Sequence, residues 1–173
     1  MVISGAWQCP CTVDQSSGAF YRMKKYNCIL IVEDSEIDMM LGTIIIESAE
    51  IALKILVARH GGEALKELDK YYAENNSLPE VIITDLLMPV MDGFDLIGEI
   101  RQHTFYSEEN CQIIILTASL DRDEDIARIK LLGVENILLK PLDKIELLEI
   151  ITKELIVFFI AKVRLISIKF LLR

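Results

Sequence analysis

Short apolar segments recur along this chain, and each is followed by a polar residue or turn and then by an amphipathic stretch. Ile and Val dominate these segments, and apolar residues occupy successive positions rather than every second one. Continuous apolar runs of this length are typical of strands that are covered on both faces, as in parallel sheets. Strands are predicted at Cys28–Val32, Leu53–Ala58, Val81–Thr84, Gln112–Leu116 and Val134–Leu139.

The stretches between these strands carry apolar residues at helical spacing. In the first of them, Ile37, Leu41, Ile44 and Ile45 are predicted to form the buried face, and Ser35 to cap the helix. Strands that alternate with helices predict an α/β fold, a doubly wound five-stranded parallel sheet with helices on both faces. Helices are predicted at Ser35–Glu47, Gly62–Asn75, Asp92–His103, Asp121–Leu132 and Asp143–Phe159.

The two ends of the chain differ from its centre. Residues 1–26 show no clear periodicity and are predicted to form a poorly ordered N-terminal arm before a single domain over residues 27–154. Residues 155–173 form an apolar extension that contains basic residues and no acidic one. This extension could lengthen the last helix to pair with a partner, lie on a membrane surface, or have no function. Membrane contact is the least favoured of the three.

The composition limits the classes of partner. A formal net charge of −9 disfavours direct nucleic-acid binding, which needs a basic surface. Cys28 and Cys111 stand at the start of apolar strands and are predicted to be buried thiols in a reducing compartment. No secretory signal is visible, and the apolar run Leu155–Ala161 is shorter than the ~20 residues of a spanning helix. A cytoplasmic location is therefore predicted.

Polar residues follow four of the five predicted strands directly. Glu33 and Asp34 follow the first strand, Asp85 the third, Thr117 the fourth and Lys140 the fifth. Because the carboxyl ends of parallel strands meet at one edge of the sheet, these side chains are expected to form one cluster at the topological switch point. Taken singly, each has an ordinary explanation as a helix cap, a turn residue or a strand end. Together they predict a functional site.

The residue types in this cluster fit phosphoryl chemistry on Asp85. Three carboxylates in one pocket repel each other unless a cation neutralises them, and hard oxygen ligands favour Mg²⁺. A carboxylate is ionised at pH 7 and can act as a nucleophile towards phosphorus. Lys140 and Thr117 would then stabilise the charge on the phosphoryl oxygens.

Four motifs in this order resemble the receiver domain of two-component response regulators. The resemblance runs from about residue 27 to about residue 151 and is closest to short receivers that stand alone without an output domain. It implies a flavodoxin-like sheet with the strand order 2-1-3-4-5. The four motifs are Ile31–Ser35, Thr84–Gly93, Leu116–Ser119 and Leu139–Leu142.

The resemblance also implies a role for each residue of the cluster. Asp85 would be the phospho-acceptor, and it would hold Mg²⁺ together with Glu33, Asp34 and the backbone carbonyl of Leu87. The motifs that carry these positions are intact in the sequence. The expected donor is a sensor histidine kinase or a phosphotransfer protein, and signalling would pass to an unknown downstream protein by contact. A homodimer is left open.

The remaining implied roles fall on the last two motifs. Thr117 and Lys140 would bind the phosphoryl oxygens, and the peptide bond before Pro141 would be cis. One position departs from the family, because Ile137 stands where an aromatic residue usually rotates inward on activation. The protein would not be an enzyme for other substrates, since it would take part only in its own phosphorylation and dephosphorylation.

Three other functions compete with this one. A phosphatase of the haloacid dehalogenase class needs a second Asp two positions after the nucleophile, where this chain has Leu87. A flavodoxin-like cofactor binder needs a loop rich in Ser, Thr and Gly after the first strand, where this chain has Glu33 and Asp34. An interaction module that works without phosphorylation has no need of the complete polar cluster.

Overall fold

A computed structural model describes residues 25–107, 110–120 and 122–151 of this chain. Its strands are β1 (Ile29–Val32), β2 (Ile55–Ala58), β3 (Val81–Thr84), β4 (Gln112–Thr117) and β5 (Asn136–Leu139). Its helices are α1 (Glu36–Ala49), α2 (Gly61–Asn75), α3 (Gly93–Gln102) and α4 (Asp123–Leu132), and residues 144–151 form a further helix, α5.

The strands form one parallel sheet in the order β2-β1-β3-β4-β5. The predicted α/β fold and its strand order are therefore confirmed. Consecutive parallel strands are joined by helices, because the connection must run from the carboxyl end of one strand back to the amino end of the next. Among the described residues, no helix combines the length and the apolar character needed to cross a bilayer.

Both faces of the sheet are buried, as the continuous apolar strands predict. Alternate residues of each strand point to opposite faces, so Leu30 and Val32 enter one core, and Ile29 and Ile31 enter the other. The first core packs under α2, α3 and α4. The second packs under α1 and α5, and Ile51 is fully buried in it. Cys28 and Cys111 are buried thiols, as predicted.

Two predicted strands begin two residues too early. β2 begins at Ile55 rather than Leu53, and β5 begins at Asn136 rather than Val134. Leu53 is 69% exposed, and its backbone N–H donates to the carbonyl of Tyr26 outside the regular ladder. The predicted starts rested on apolar character alone, and they therefore precede the points where the backbones of both strands begin to pair.

The predicted ends of the domain fall largely outside the described residues. The arm over residues 1–26 is described only at Lys25 and Tyr26, and Tyr26 is buried and donates its hydroxyl to the carbonyl of Ile151. The predicted last helix is described to Ile151 only. The extension over residues 155–173 lies wholly outside.

The buried face predicted for α1 is wrong. Ile37, Leu41 and Ile44 are 74%, 36% and 52% exposed, and only Ile45 of the predicted set packs against the core. Apolar residues stand on nearly every side of this helix, so their periodicity does not single out one face.

Gly42 and Ile46 instead form the fully buried side of α1. A Cβ atom at Gly42 would lie only 3.6 Å from Cδ1 of Ile31 and 3.8 Å from Cδ2 of Leu142. These are ordinary van der Waals distances, so this side of the helix lies directly against the two side chains.

The start of α3 depends on a second close approach. Asp92 caps the helix, because its Oδ1 accepts a hydrogen bond of 2.8 Å from the N–H of Asp95. The N–H of Gly93 donates to the carbonyl of Leu86 at 3.0 Å. A Cβ atom at Gly93 would overlap the carbonyl oxygen of Asp85 and would lie 2.9 Å from Cα of Leu86. Only glycine fits this contact.

Gly93→Ala should therefore destabilise the protein by about 3 kcal/mol, because the backbone beside Asp85 must move to admit the methyl group. Gly98→Ala is the matched control in the same helix, since a Cβ there meets nothing within 4 Å. It should raise the unfolding free energy by roughly 0.5–1 kcal/mol. Urea unfolding followed by circular dichroism measures both, and equal effects from the two substitutions would contradict this account.

Candidate functional site

Polar residues from three strand ends meet at the carboxyl edge of the sheet. Nζ of Lys140 lies 2.6 Å from Oδ2 of Asp85 and 2.8 Å from Oε1 of Glu33. Ligand oxygens of Glu33, Asp34 and Asp85 lie within 4.8 Å of one another. The structure thus brings together four of the residues that the sequence pattern placed in one cluster.

The sheet ladder sets these positions. Val32 pairs with Thr84 in the register of β1 and β3, and the N–H of Asp85 donates to the carbonyl of Val32 at 3.0 Å. The N–H of Lys140 donates to the carbonyl of Thr117 at 2.8 Å, which continues the pairing of β4 with β5. Glu33, Asp85, Thr117 and Lys140 are therefore at most one residue beyond a hydrogen-bonded strand, and Asp34 is two residues beyond β1.

Asp85 is nine-tenths buried, and its two carboxylate oxygens have different partners. Oδ1 accepts backbone hydrogen bonds from Leu86 at 2.5 Å and from Leu87 at 3.3 Å, whereas Oδ2 faces the ammonium of Lys140. Hydrogen bonds from backbone amides fix the carboxylate in one orientation. The backbone of Leu87 consequently lies beside the site, although its side chain is 56% exposed.

Thr117 ends β4 and is buried. Its hydroxyl donates to the carbonyl of Ser119 at 3.4 Å, within the loop that follows the strand. The cis peptide bond expected before Pro141 is present, directly after Lys140. Ile137, at the position that is usually aromatic, is partly buried and packs against the core under α2, α3 and α4.

Asp38 is a member of the site that the sequence pattern did not single out. Its Oδ2 lies 3.3 Å from Nζ of Lys140, and its side chain is 35% exposed. Its N–H donates to Oγ of the capping residue Ser35 at 3.3 Å. The cap could have indicated this position, because the third residue after an N-cap points back towards the helix start. Here the start of α1 lies at the carboxyl edge of the sheet.

The electrostatics of the cluster are dominated by burial and by the central ammonium. Burial raises the pKa of Glu33, although hydrogen bonds from Lys140 and Ser35 oppose the shift. Burial alone would lower the pKa of Lys140, but its hydrogen bonds to Asp85 and Glu33 raise it above the usual value. Lys140 is therefore charged at neutral pH.

The donor set fits a hard divalent cation. The carboxylates of Glu33, Asp38 and Asp85 contact the ammonium of Lys140, and the carboxylate of Asp34 lies close to those of Glu33 and Asp85, which leaves an excess of negative charge in a confined space. Oε2 of Glu33 is buried and lies 2.7 Å from Nζ of Lys140 without a well-directed hydrogen bond. Asp34 is exposed and opens the cluster to solvent. Oxygen ligands of this kind suit Mg²⁺ or Ca²⁺ better than softer metals.

Comparison with known proteins gives one consistent result. A family model described as the response regulator receiver domain matches residues 29–152. The chain is 31% identical over 104 residues to response regulator Rcp1 of Synechocystis sp., an alignment that spans 60% of this chain and 69% of Rcp1. It is 37% identical over 87 residues to chemotaxis protein CheY1 of Helicobacter pylori, spanning 50% of this chain and 64% of CheY1.

Solved structures agree with these sequence matches. A two component response regulator from Cytophaga hutchinsonii superposes with a TM-score of 0.66 at 28% identity, covering 76% of this chain and 98% of that one. The bacteriophytochrome response regulator AtBRR superposes with a TM-score of 0.63 at 27% identity, covering 74% and 91% of the two chains.

Lys140→Met should lower the unfolding free energy of the metal-free protein by about 3 kcal/mol at pH 7, because it leaves Glu33 and Asp85 without their cation. The loss should shrink as the pH falls. Since burial raises the pKa of Glu33 above its unfolded value, protonation of Glu33 at lower pH favours the folded state. Urea unfolding at several pH values measures both effects.

Lys144→Met is the matched control for this substitution. Nζ of Lys144 donates to the carbonyl of Ser48 at 2.9 Å on an exposed part of the surface. Its loss should cost less than about 1 kcal/mol and should not depend on pH between 4 and 7, by analogy with exposed ion pairs. A Lys140→Met protein as stable as the parent would contradict a central role for the Lys140 ammonium.

Proposed function

Because this chain belongs to the response regulator receiver family of two-component signalling, we propose that it accepts a phosphoryl group on Asp85 in a Mg²⁺-dependent reaction. The observation that carries the proposal is the contact of 2.6 Å between Asp85 and Lys140 inside a cluster of carboxylates. A nucleophile, a cation and a set of oxygen ligands for a metal are the parts that phosphoryl transfer needs.

The residues that would hold Mg²⁺ are Glu33, Asp34 and Asp85, together with the backbone carbonyl of Leu87. The bound ion would supply positive charge against the carboxylates and the phosphoryl oxygens. Support comes from the proximity of the three carboxylates and from the backbone contact of Leu87 with Asp85. Mg²⁺ keeps several waters and needs few protein ligands, so an open, partly exposed carboxylate set suits it.

The phosphoryl step follows from the two environments of the Asp85 carboxylate. A carboxylate oxygen forms a bond to phosphorus as the bond between phosphorus and the donor nitrogen of a phosphohistidine breaks, and the leaving imidazole takes a proton. The backbone amides at Oδ1 hold the carboxylate in place. Lys140 stands beside Oδ2, where it can pair with phosphoryl oxygens, and Thr117 ends the neighbouring strand.

The same proposal indicates the class of the phosphoryl donor and of the downstream partner. A phosphohistidine on a sensor histidine kinase or a phosphotransfer protein is the expected donor, which would place the protein in the cytoplasm. The formal net charge of −9 favours protein partners over nucleic acid downstream. The protein would catalyse nothing beyond its own phosphorylation and dephosphorylation.

A second candidate is an interaction module that works without phosphorylation. The observation in its favour is Ile137, which packs against the core in place of the usual aromatic switch. An aliphatic residue already packed there lacks the ring that would move inward. Against this candidate stands the complete polar cluster around Lys140.

Intact-mass spectrometry after incubation with acetyl phosphate and Mg²⁺ tests the proposal. The parent protein should gain one phosphoryl group, and Asp85→Asn should gain none. Chelation of the metal with EDTA should also abolish the gain, because the carboxylate cluster then repels the anionic donor. A parent protein that gains no phosphoryl group in the presence of Mg²⁺ would favour the interaction module.

Asp38→Asn should speed phosphorylation by acetyl phosphate about two- to fivefold. It removes a negative charge that competes for Lys140 and repels the donor, and a partly exposed ion pair contributes only ~0.5–1 kcal/mol. Glu36→Gln is the matched control, since Glu36 lies in the same turn of α1 but pairs with Arg59 at 3.2 Å. An unchanged rate in Asp38→Asn, or an equal increase in the control, would contradict competition for Lys140.

A further inference from the structure

The exposed side of α1 carries a continuous apolar stripe. Ile37, Met40, Leu41 and Ile44 have the spacing i, i+3, i+4, i+7 and are 74%, 60%, 36% and 52% exposed. Residues at this spacing lie on one face of a helix, which a helix on a protein surface normally turns towards the core. In α1 the core contact is made by the opposite, glycine-containing side, so the apolar stripe faces outwards.

The apolar surface continues onto the edge of the sheet. Val57 in the edge strand β2 is 45% exposed and pairs in register with Ile31, which lies in the core under α1 and α5. Val57 therefore points to the same face of the sheet as α1. The ion pair of Glu36 with Arg59, at 3.2 Å, joins the start of α1 to the end of this strand. Exposed apolar residues on one helix face and on the sheet edge of the same side mark a contact site.

The rim of this surface is acidic. α1 contains Glu36, Asp38 and Glu47 and has no basic residue, and Glu50 forms its C-terminal cap. Glu47 is exposed in the last turn, one turn beyond Ile44. Glu36, Asp38 and Glu50 already pair with Arg59, Lys140 and Lys25. An occupant of the stripe would therefore bring apolar side chains and a positive charge that faces Glu47. A second copy of the same stripe would bring like charge, which disfavours a symmetric pair.

Residues 155–173 of this chain have the complementary chemistry. Aliphatic and aromatic residues dominate them, and their charged residues are Lys162, Arg164, Lys169 and Arg173. No acidic residue follows Glu154. A segment of this composition can place apolar side chains on the stripe and cations against the acidic rim.

The domain delivers this segment close to α1. The carbonyl of Ile151, the last described residue, accepts a hydrogen bond of 3.1 Å from the hydroxyl of Tyr26. The N–H of Tyr26 donates to the carbonyl of Ile51 at 2.7 Å, just after α1 ends. A helix of 14 residues is about 21 Å long, and about seven extended residues span that distance. Residues 152–173 can therefore reach every part of the stripe.

We propose that residues 155–173 dock on the exposed apolar stripe of α1 in the same chain. The segment leaves the domain beside the C-terminal end of α1 and returns along its outer face, with its cations against the acidic rim. This contact is independent of phosphorylation at Asp85, so it does not rest on the function proposed above. It would cover Met40, which stands at the centre of the stripe.

Oxidation of Met40 in the full-length protein tests this contact. Dilute hydrogen peroxide oxidises exposed methionines, and peptide mapping by mass spectrometry gives the rate at each one. The variant Lys162→Glu/Arg164→Glu/Lys169→Glu keeps the apolar residues of the segment and reverses its charge. Met40 should oxidise at least threefold more slowly in the parent than in this variant. Met91, which lies outside the stripe, is the internal reference and should oxidise at the same rate in both.

A charge reversal on α1 tests whether the protection of Met40 depends on opposite charges on α1 and on residues 155–173. Glu47→Lys lies on the exposed rim and should by itself raise the rate of Met40 oxidation in the parent. Combined with the charge-reversed segment, Glu47→Lys should restore part of the protection, because opposite charges again face each other. Circular dichroism would establish that each variant is folded.

Three results would overturn the proposal. Equal rates of Met40 oxidation in the parent and in both single-side variants would mean that the segment does not cover the stripe. Protection that weakens on dilution of the protein would assign the stripe to a second copy. Protection that arises only with vesicles of phosphatidylserine and phosphatidylcholine would assign the segment to the membrane surface.

Discussion

The ammonium of Lys140 is the interaction on which the rest of the site depends. It lies within 2.6–3.3 Å of carboxylate oxygens from the end of β1, the first turn of α1 and the end of β3, while Lys140 itself follows β5. One partly buried cation thus joins β5 to three elements that carry carboxylates. Without it, Glu33 and Asp85 would face each other across a poorly solvated gap, which is costly unless a metal replaces the lost charge.

The sheet and the loop after β3 hold these charges at fixed separations. Strand pairing places Asp85 and Lys140 at the same edge, because each continues a hydrogen-bonded strand. Gly93 lets the start of α3 press against the backbone of Asp85, and the amides of Leu86 and Leu87 orient its carboxylate. A preorganised carboxylate of this kind needs little rearrangement to react.

Local patterns predicted most of the site and part of the packing. Asp85, Thr117 and Lys140 can be found from the sequence alone, because each is the polar residue that ends an apolar run. Asp38 was missed because its role depends on where the start of α1 lies relative to Lys140. Val90 adopts a φ of 71°, a region that β-branched residues disfavour. Its residue type therefore does not predict the turn.

The sequence by itself determined the class of fold, the order of the elements and the residues that end the strands, because hydrophobic runs and their interruptions are local properties. Only the tertiary structure decided which side of α1 is covered. Ile37 and Ile44 are apolar enough to be buried, but Gly42 and Ile46 are the residues of α1 that the core covers. Burial of one face over another depends on the shape of the partner surface, which no single segment of the chain encodes.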